Sequence, residues 1–139
     1  MGLIYADLTL ANYADLVNAR EGLIPNDKVR RTKVRSMVDT GCENFTINET
    51  VFQQLGLKEE WREPFEMADG TIAELPVSGG IAVFFENRQT LVHAAVAPGN
   101  TDVLLGAIPM QSMDVLIDPR QEKLVVNPLH PMRAQHKMK

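Results

Sequence analysis

The sequence predicts a single all-β domain, and three observations support this prediction. Several segments alternate apolar and polar residues with the period of two that is typical of half-buried strands. Turn-forming pairs, such as Asp69-Gly70 and Pro98-Gly99, separate these segments. The chain has 139 residues, of which 45% are hydrophobic, so it is long enough for one domain with a core and too short for two ordinary ones.

The N-terminal part of the chain predicts two strands. Ile4 to Leu10 alternates apolar and polar residues and predicts the first strand. Residues 11 to 30 fit one or two helical turns or a long loop, and their pattern does not choose between these. Arg31 to Val38 alternates again and leads directly into Asp39-Thr40-Gly41, a combination typical of a sharp turn.

One helix is predicted after this turn. Thr46 and Glu49 fit a capping box at its start, with Asn48 as a rival cap, and Gly56 suits a left-handed cap at its end. Four apolar residues share one helical face: Ile47, Val51, Phe52 and Leu55.

The second half of the chain again predicts strands. Asp69-Gly70 is typical of a hairpin tip, and Ile72 to Phe85 is expected to be extended with a bend at Gly79-Gly80. Leu91 to Ala97 predicts another strand, which Pro98 ends.

The last third of the chain predicts a strand, a helix and a hairpin. Val103 to Gly106 is a short apolar strand that stops at a glycine, and Ala107 to Met113 can form a short helix. Asp114 to Asp118 and Lys123 to Asn127 are expected to pair around a proline turn. Residues 128 to 139 have no periodicity and predict a mobile tail.

Composition and charge argue against several classes of protein. The 14 Lys and Arg residues and the 18 Asp and Glu residues give a net charge of −4, whereas nucleic-acid-binding domains usually carry a basic surplus. No apolar run is long enough to span a membrane, and no secretory signal pattern is present. The single cysteine, Cys42, cannot form an internal disulfide. We therefore expect a cytoplasmic protein that binds neither nucleic acid nor membranes, although a secreted chain without its signal would look the same.

The segment with the clearest chemical meaning is Val38-Asp39-Thr40-Gly41. An Asp-Thr-Gly triplet can simply be a turn after a strand, but here other features accompany it. With these features the chain resembles the retropepsin-like aspartic proteases, including their bacterial single-domain members, over residues 31 to 127. The resemblance rests on four stretches: VDTG at 38 to 41, MADGT at 67 to 71, VLLGAIPM at 103 to 110 and DVLIDPRQEKLVV at 114 to 126.

The resemblance implies a fold and a set of site residues. The fold would be a small closed β-barrel with one or two short helices, formed by residues 31 to 127, with residues 1 to 30 as an N-terminal strand and loop extension. Asp39 would be the catalytic residue, without metal or other cofactor. Two further groups would surround it: the support of the active-site loop (Thr40, Gly41, Leu104, Leu105, Gly106) and the substrate-binding flap (Ala68, Asp69, Gly70, Thr71).

The chemistry of such a protease predicts a homodimer. Two carboxylates must lie close enough to share one proton, so that one acts as a general base toward water while the other polarises the peptide carbonyl. The chain contains one Asp-Thr-Gly, so two chains must each contribute one Asp39. The resemblance assigns Thr40 to joining the two loops, and a peptide or protein substrate would lie between the chains as an added strand.

Three alternatives remain open at this point. The chain could be a catalytically silent, protease-like dimer that binds extended peptides or a protein partner. It could also be an unrelated small β-barrel in which the triplet is only a turn. Cys42 stands where the family usually has alanine or serine, and it could pair with His93 as a nucleophile, but a small buried cysteine is the simpler interpretation.

Overall fold

The computed structural model describes residues 2–138, and in this range it contains mainly short strands. The elements in chain order are β1 (Ile4–Asn12), α1 (Tyr13–Arg20), a 3-10 turn (Asn26–Lys28), β2 (Arg31–Val38), β3 (Phe45–Asn48), α2 (Glu49–Gln54), β4 (Glu59–Glu66), β5 (Ile72–Ser78), β6 (Ile81–Phe85), β7 (Arg88–Val92), β8 (Ala95–Ala97), β9 (Leu104–Leu105), α3 (Ala107–Met113), β10 (Val115–Asp118) and β11 (Lys123–Val126). No helix in the described range is long and apolar enough to cross a membrane.

Nine strands form one curled sheet in the order β4-β5-β8-β3-β9-β2-β1-β6-β7, and β10 and β11 form a separate hairpin. The sheet is an open half-barrel, because its edge strands β4 and β7 do not pair with each other within the described residues. The expectation of a closed barrel is therefore wrong. No residue of β4 is fully buried, so this strand has no apolar face to bury by closing the barrel.

The main core lies inside the curl of the sheet. Alternate residues of β1 point into it, and α2 and α3 close its open sides. Its large, fully buried side chains come from elements spread along the chain and include Leu8, Leu10, Phe45, Ile47, Leu55, Ile81, Leu105 and Met113. A smaller cluster of Ala11, Val29 and Ala82 packs against α1, so the domain has one main core and a satellite cluster.

The first thirty residues contribute a central strand. β1 pairs antiparallel with β2 along its whole length and with β6 near its C-terminal end. Residues 13–20, for which the sequence left helix and loop open, form α1. Its start is capped by Asn12, whose side-chain oxygen accepts a hydrogen bond from the Asp15 N–H at 3.1 Å. The Asn12 side-chain amide also donates to the Leu55 carbonyl at 2.8 Å, which ties this corner to the end of α2.

The helix after the Asp-Thr-Gly turn starts later than a Thr46 cap would place it. Phe45–Asn48 form strand β3, and the rival cap, Asn48, accepts a hydrogen bond from the Val51 N–H at 2.9 Å. Gly56 follows the helix with φ +60°, as predicted for a left-handed cap. Ile47 is therefore buried from a strand, not from a helix.

The strand predicted over Leu91 to Ala97 is divided between two positions in the sheet. β7 pairs with β6 at one edge, whereas β8 pairs with β3 and β5 near the other. Ser78 anchors the crossing between them, because it exchanges hydrogen bonds with the backbone of Ala94. A single alternating pattern does not reveal such a change of neighbours.

Candidate active site

Asp39 follows directly on the central strand β2. Strand β9 lies between β2 and β3, the two strands that flank the Asp39 loop, and Val38 pairs with Leu105 in parallel register. The Asp39 N–H donates to the Leu105 carbonyl at 3.0 Å. The buried Ser36 hydroxyl also donates to the Val103 carbonyl at 3.1 Å. The predicted Leu-Leu-Gly segment is therefore in direct contact with the strand that carries the aspartate.

The Asp39 carboxylate is oriented by its own loop. It is half-buried, and its Oδ1 accepts a hydrogen bond from the Gly41 N–H at 2.9 Å. The Cys42 N–H donates to the Asp39 carbonyl at 3.1 Å and closes the turn. A Cβ on Gly41 would lie 3.2 Å from Oδ1, so a glycine here leaves the carboxylate undisturbed.

Gly106 packs against the backbone of the Asp39 loop. A Cβ at this position would lie 2.3 Å from the Asn44 carbonyl oxygen and 2.5 Å from that of Cys42. Directly after it, the Ala107 N–H donates to the Cys42 carbonyl at 2.8 Å. The next amide, that of Ile108, donates to the Glu43 carbonyl at 2.9 Å. The first turn of α3 thus holds residues 42–43, and only a residue without a side chain permits this approach.

An apolar groove lies beside the aspartate. The exposed Thr40 forms one wall, and the groove has a volume of about 330 Å³. The other walls come from α3 and β10: Ala107, Met110, Gln111, Val115, Leu116 and Ile117. Two large apolar side chains are exposed on the same two elements, Ile108 at 55% and Leu116 at 37%. The surface next to the aspartate therefore exposes an apolar patch of the kind that marks an interaction site.

The predicted flap residues form the tip of the β4–β5 hairpin. The Asp69 carboxylate accepts hydrogen bonds from the N–H and the hydroxyl of Thr71, which lower the pKa of Asp69. Gly70 has φ +86°, and the Met67 N–H donates to the Thr71 carbonyl at 2.7 Å. Ala68 lies in the same exposed turn. Within the described residues no hydrogen bond joins this tip to the Asp39 loop. The structure of one chain therefore does not bond the predicted flap to the predicted catalytic residue.

The structure gives Cys42 and His93 different environments. Cys42 is half-buried, and its thiol donates to the Asn44 carbonyl at 3.4 Å. His93 lies beside the β4–β5 hairpin. Its Nδ1 donates to the carbonyl of Ser78 at the end of β5, and its ring packs against Trp61 of β4 with centroids 5.2 Å apart. Across residues 2–138 no three His, Cys, Asp or Glu side chains form a group that could hold a metal ion.

Sequence reasoning missed the residues that hold the Asp39 loop through their backbone. The carbonyl groups of Cys42 and Glu43 and the amides of Ala107 and Ile108 make this contact. Backbone groups leave no mark in residue type, so the only available signal was Gly106, whose missing side chain marks a close approach.

Comparisons with known proteins were made for the whole chain. A sequence model of the aspartyl protease family matches residues 26–107, more than half of the chain. A search of curated protein sequences found no match to this chain. The retroviral protease-like domain of Ddi1 from Leishmania major has a similar fold, with a TM-score of 0.57 and 15% sequence identity over 92% of this chain and 90% of that domain.

Two other solved structures are more distant. A retropepsin-like aspartic protease from Rickettsia conorii aligns with a TM-score of 0.44 and 14% identity, over 85% of this chain and 89% of that one. A Legionella pneumophila protein of unknown function aligns with a TM-score of 0.46 and 13% identity, over 86% and 95%. The family match places Asp39, Thr40 and Gly41 inside the matched residues. The chain belongs to the aspartyl protease family, and its fold is retropepsin-like.

Proposed function

We propose that this protein is an aspartic endopeptidase that hydrolyses peptide bonds as a homodimer. The observation that carries the proposal is the Asp39 loop: a half-buried carboxylate at the end of a central strand, oriented by the Gly41 N–H at 2.9 Å and braced by β9 and α3. Membership of the aspartyl protease family supports it. In the proposed mechanism the two carboxylates activate the water, so no metal or other cofactor takes part.

The mechanism requires a second carboxylate, which one chain does not supply. Asp39 is the only aspartate followed by Thr-Gly, so the partner group would be Asp39 of a second copy. One carboxylate then removes a proton from the attacking water, and the other, protonated, donates to the peptide carbonyl. When the amine leaves, it takes a proton from one carboxyl group, and a hydroxyl of the tetrahedral intermediate gives its proton to the other as it becomes the C=O of the product. The pair therefore again holds one proton.

The apolar groove beside Thr40 supports a two-fold dimer. Ile108 and Leu116 are exposed next to the loop that must meet its copy, and burying them gives an interface its apolar centre. In a two-fold dimer each chain presents the same surface to the other. Thr40, exposed on the same loop, would then reach the partner chain.

The hairpin tip, Ala68 to Thr71, is the proposed flap over the substrate. It projects from the sheet edge, is exposed, and carries a glycine at positive φ that lets its backbone turn tightly. A peptide lying beneath it in extended form would bond through its backbone, which suits a peptidase that accepts many side chains. The free thiol of Cys42 is compatible with a reducing compartment, and the cytoplasm is the proposed location.

The direct test replaces Asp39 by asparagine. The amide is nearly isosteric but accepts no proton, so cleavage of a peptide library should fall by about 100-fold or more. Asp7→Asn is the matched control, because Asp7 is an exposed aspartate of β1, and it should retain full activity. Sedimentation should give the same dimer for all three proteins. Undiminished cleavage by the Asp39→Asn protein would refute the assignment.

The same experiment distinguishes a peptidase from the alternative, a catalytically silent module that binds peptides without cleaving them. If the wild-type dimer binds extended peptides in a fluorescence assay but cleaves none of them, the binding module replaces the peptidase as the function. The remote likeness to the Ddi1 domain concerns the fold alone, so it favours neither outcome.

A further inference from the structure

The segment after β11 is bound to the body of the protein near the end of α3. We call residues 127–135 the strap. The Asp114 carboxylate accepts three hydrogen bonds from it: from the Asn127 amide at 3.0 Å, from His130 Nδ1 at 2.6 Å and from the Gln135 N–H at 3.1 Å. Two of these donors, His130 and Gln135, lie in residues 128 to 139, the segment that was predicted to be a mobile tail.

The strap also covers a buried arginine. The Arg88 side chain is 0% exposed, and its guanidinium donates to the His130 carbonyl through Nη2 and to the Asp114 carbonyl through Nε at 3.4 Å. Asn87 next to it donates to the carbonyls of residues 131 and 132. A buried cation is stable only when other groups of the protein replace its water. The strap supplies one of those groups, so Arg88 and the strap depend on each other.

Asp114 connects the strap to the Asp39 loop through α3. It caps the C-terminal end of the helix with φ +55°, a left-handed backbone conformation that is uncommon outside glycine but that Asp adopts more often than most residues. The helix has seven residues and is therefore about 10 Å long. At its other end the Ala107 and Ile108 amides hold the carbonyls of Cys42 and Glu43. A shift of the helix end at Asp114 would therefore move the loop that carries Asp39.

We propose that Asp114, held by the strap, is a positioning residue for the catalytic loop, and that the C-terminal segment is thereby part of the catalytic apparatus. The kinetic part of this inference rests on the proposed peptidase function, whereas the structural part does not. The family match ends at residue 107, so the strap is a feature of this chain outside the matched region.

The charge state of Asp114 suits this role. Hydrogen bonds from Asn127, the Gln135 N–H and His130 lower the pKa of Asp114 to about 2. The carboxylate therefore keeps its charge, and with it the strength of these hydrogen bonds, well into the acidic range.

The test replaces His130 by alanine, with two matched variants. His130→Asn keeps a donor near the position of Nδ1 and is the conservative rescue. His136→Ala removes the other histidine of the tail, which is exposed, and is the control. The first measurement is the protection of the Ala107 and Ile108 amides against hydrogen exchange, compared with the protection of the amides of β1. It reports on the contact between α3 and the Asp39 loop, and it does not depend on enzyme activity. Steady-state cleavage of a peptide then gives kcat and KM separately.

We expect His130→Ala to lose about tenfold in protection at Ala107 and Ile108 while β1 keeps its protection. The value of kcat should fall about tenfold with KM unchanged, because the carboxylates meet less often in the productive geometry. His130→Asn should restore much of both effects, and His136→Ala should behave as wild type.

Two results would overturn the inference. One is unchanged exchange at Ala107 and Ile108 in His130→Ala. The other is an equal loss of protection in β1, which would give the strap a role in global stability only. A wild-type protein that cleaves nothing would instead refute the proposed function, and the exchange data would still decide whether the strap positions the loop.

Discussion

Replacing Gly106 by alanine should damage both stability and the Asp39 loop. The new Cβ would lie 2.3 Å from the Asn44 carbonyl oxygen, 2.5 Å from that of Cys42 and 2.7 Å from the Glu43 carbonyl carbon. All three are backbone atoms of one loop, so no side-chain rotation relieves the clash. The backbone of Gly106 itself has φ −91°, which alanine also adopts, and the effect therefore comes from crowding alone.

The size of the effect follows from the contacts that must separate. Forcing extra volume into a packed site costs about 1–3 kcal/mol. Moving α3 away from the loop would also weaken the hydrogen bonds from Ala107 to Cys42 and from Ile108 to Glu43, each worth about 1 kcal/mol. We expect the free energy of unfolding to fall by about 2–5 kcal/mol, a large part of the stability of a domain of this size.

Urea denaturation followed by circular dichroism measures this change. Gly79→Ala is the matched control, because Gly79 is also buried. Its Cβ would meet the flexible Glu60 side chain at 3.3 Å and the Lys58 carbonyl oxygen at 3.9 Å, which is an ordinary contact distance. That control should change the free energy of unfolding by less than about 1 kcal/mol. If Gly106→Ala is as stable as Gly79→Ala, the close contact between α3 and the Asp39 loop does not exist as described.

Two further predictions concern the proposed dimer and the pH dependence of stability. Leu116→Glu should weaken the dimer at least about tenfold in sedimentation, because it places a charge in the apolar groove, whereas Leu91→Glu on the exposed face of β7 should not. Asp15→Asn should lower the free energy of unfolding at pH 7 by about 1–2 kcal/mol, a value reduced because the Arg30 side chain that bonds Asp15 is half-exposed. The hydrogen bond from Arg30 lowers the pKa of Asp15, so this stability is present above the unfolded pKa of about 3.9 and is lost as pH falls through the lower folded value. Urea melts at pH 7 and pH 3 should therefore show the two proteins converging, and a constant difference would contradict the assignment.

Local patterns were enough to predict most strands and the turn at Asp39. The alternation in Arg31 to Val38, the Asp69-Gly70 tip and the proline turn before Lys123 each depend on neighbouring residues, and each is present in the structure. The contact between Asp39 and Leu105 joins residues far apart in the chain, and it was predicted only through the family resemblance.

Features that depend on distant partners were not predictable in this way. The central position of β1 follows from pairing with both β2 and β6, and alternation gives no information about partners. Arg88 looks like a surface residue of a strand, and its burial depends on carbonyl groups of Asp114 and His130, 26 and 42 residues later in the chain. The open sheet could not be read from the chain either, because a strand reveals its own faces but not whether the sheet closes.

The edge strand β4 has a consequence for the behaviour of the protein in solution. An unpaired edge offers free backbone groups to any other strand and can start aggregation. Pro64 removes one backbone donor from β4, and the strand also carries four exposed carboxylates, at Glu59, Glu60, Glu63 and Glu66. Like charges on two such edges repel each other, so these residues keep separate molecules apart at neutral pH. Substitutions that remove Pro64 or these carboxylates should therefore make separate molecules associate through this edge.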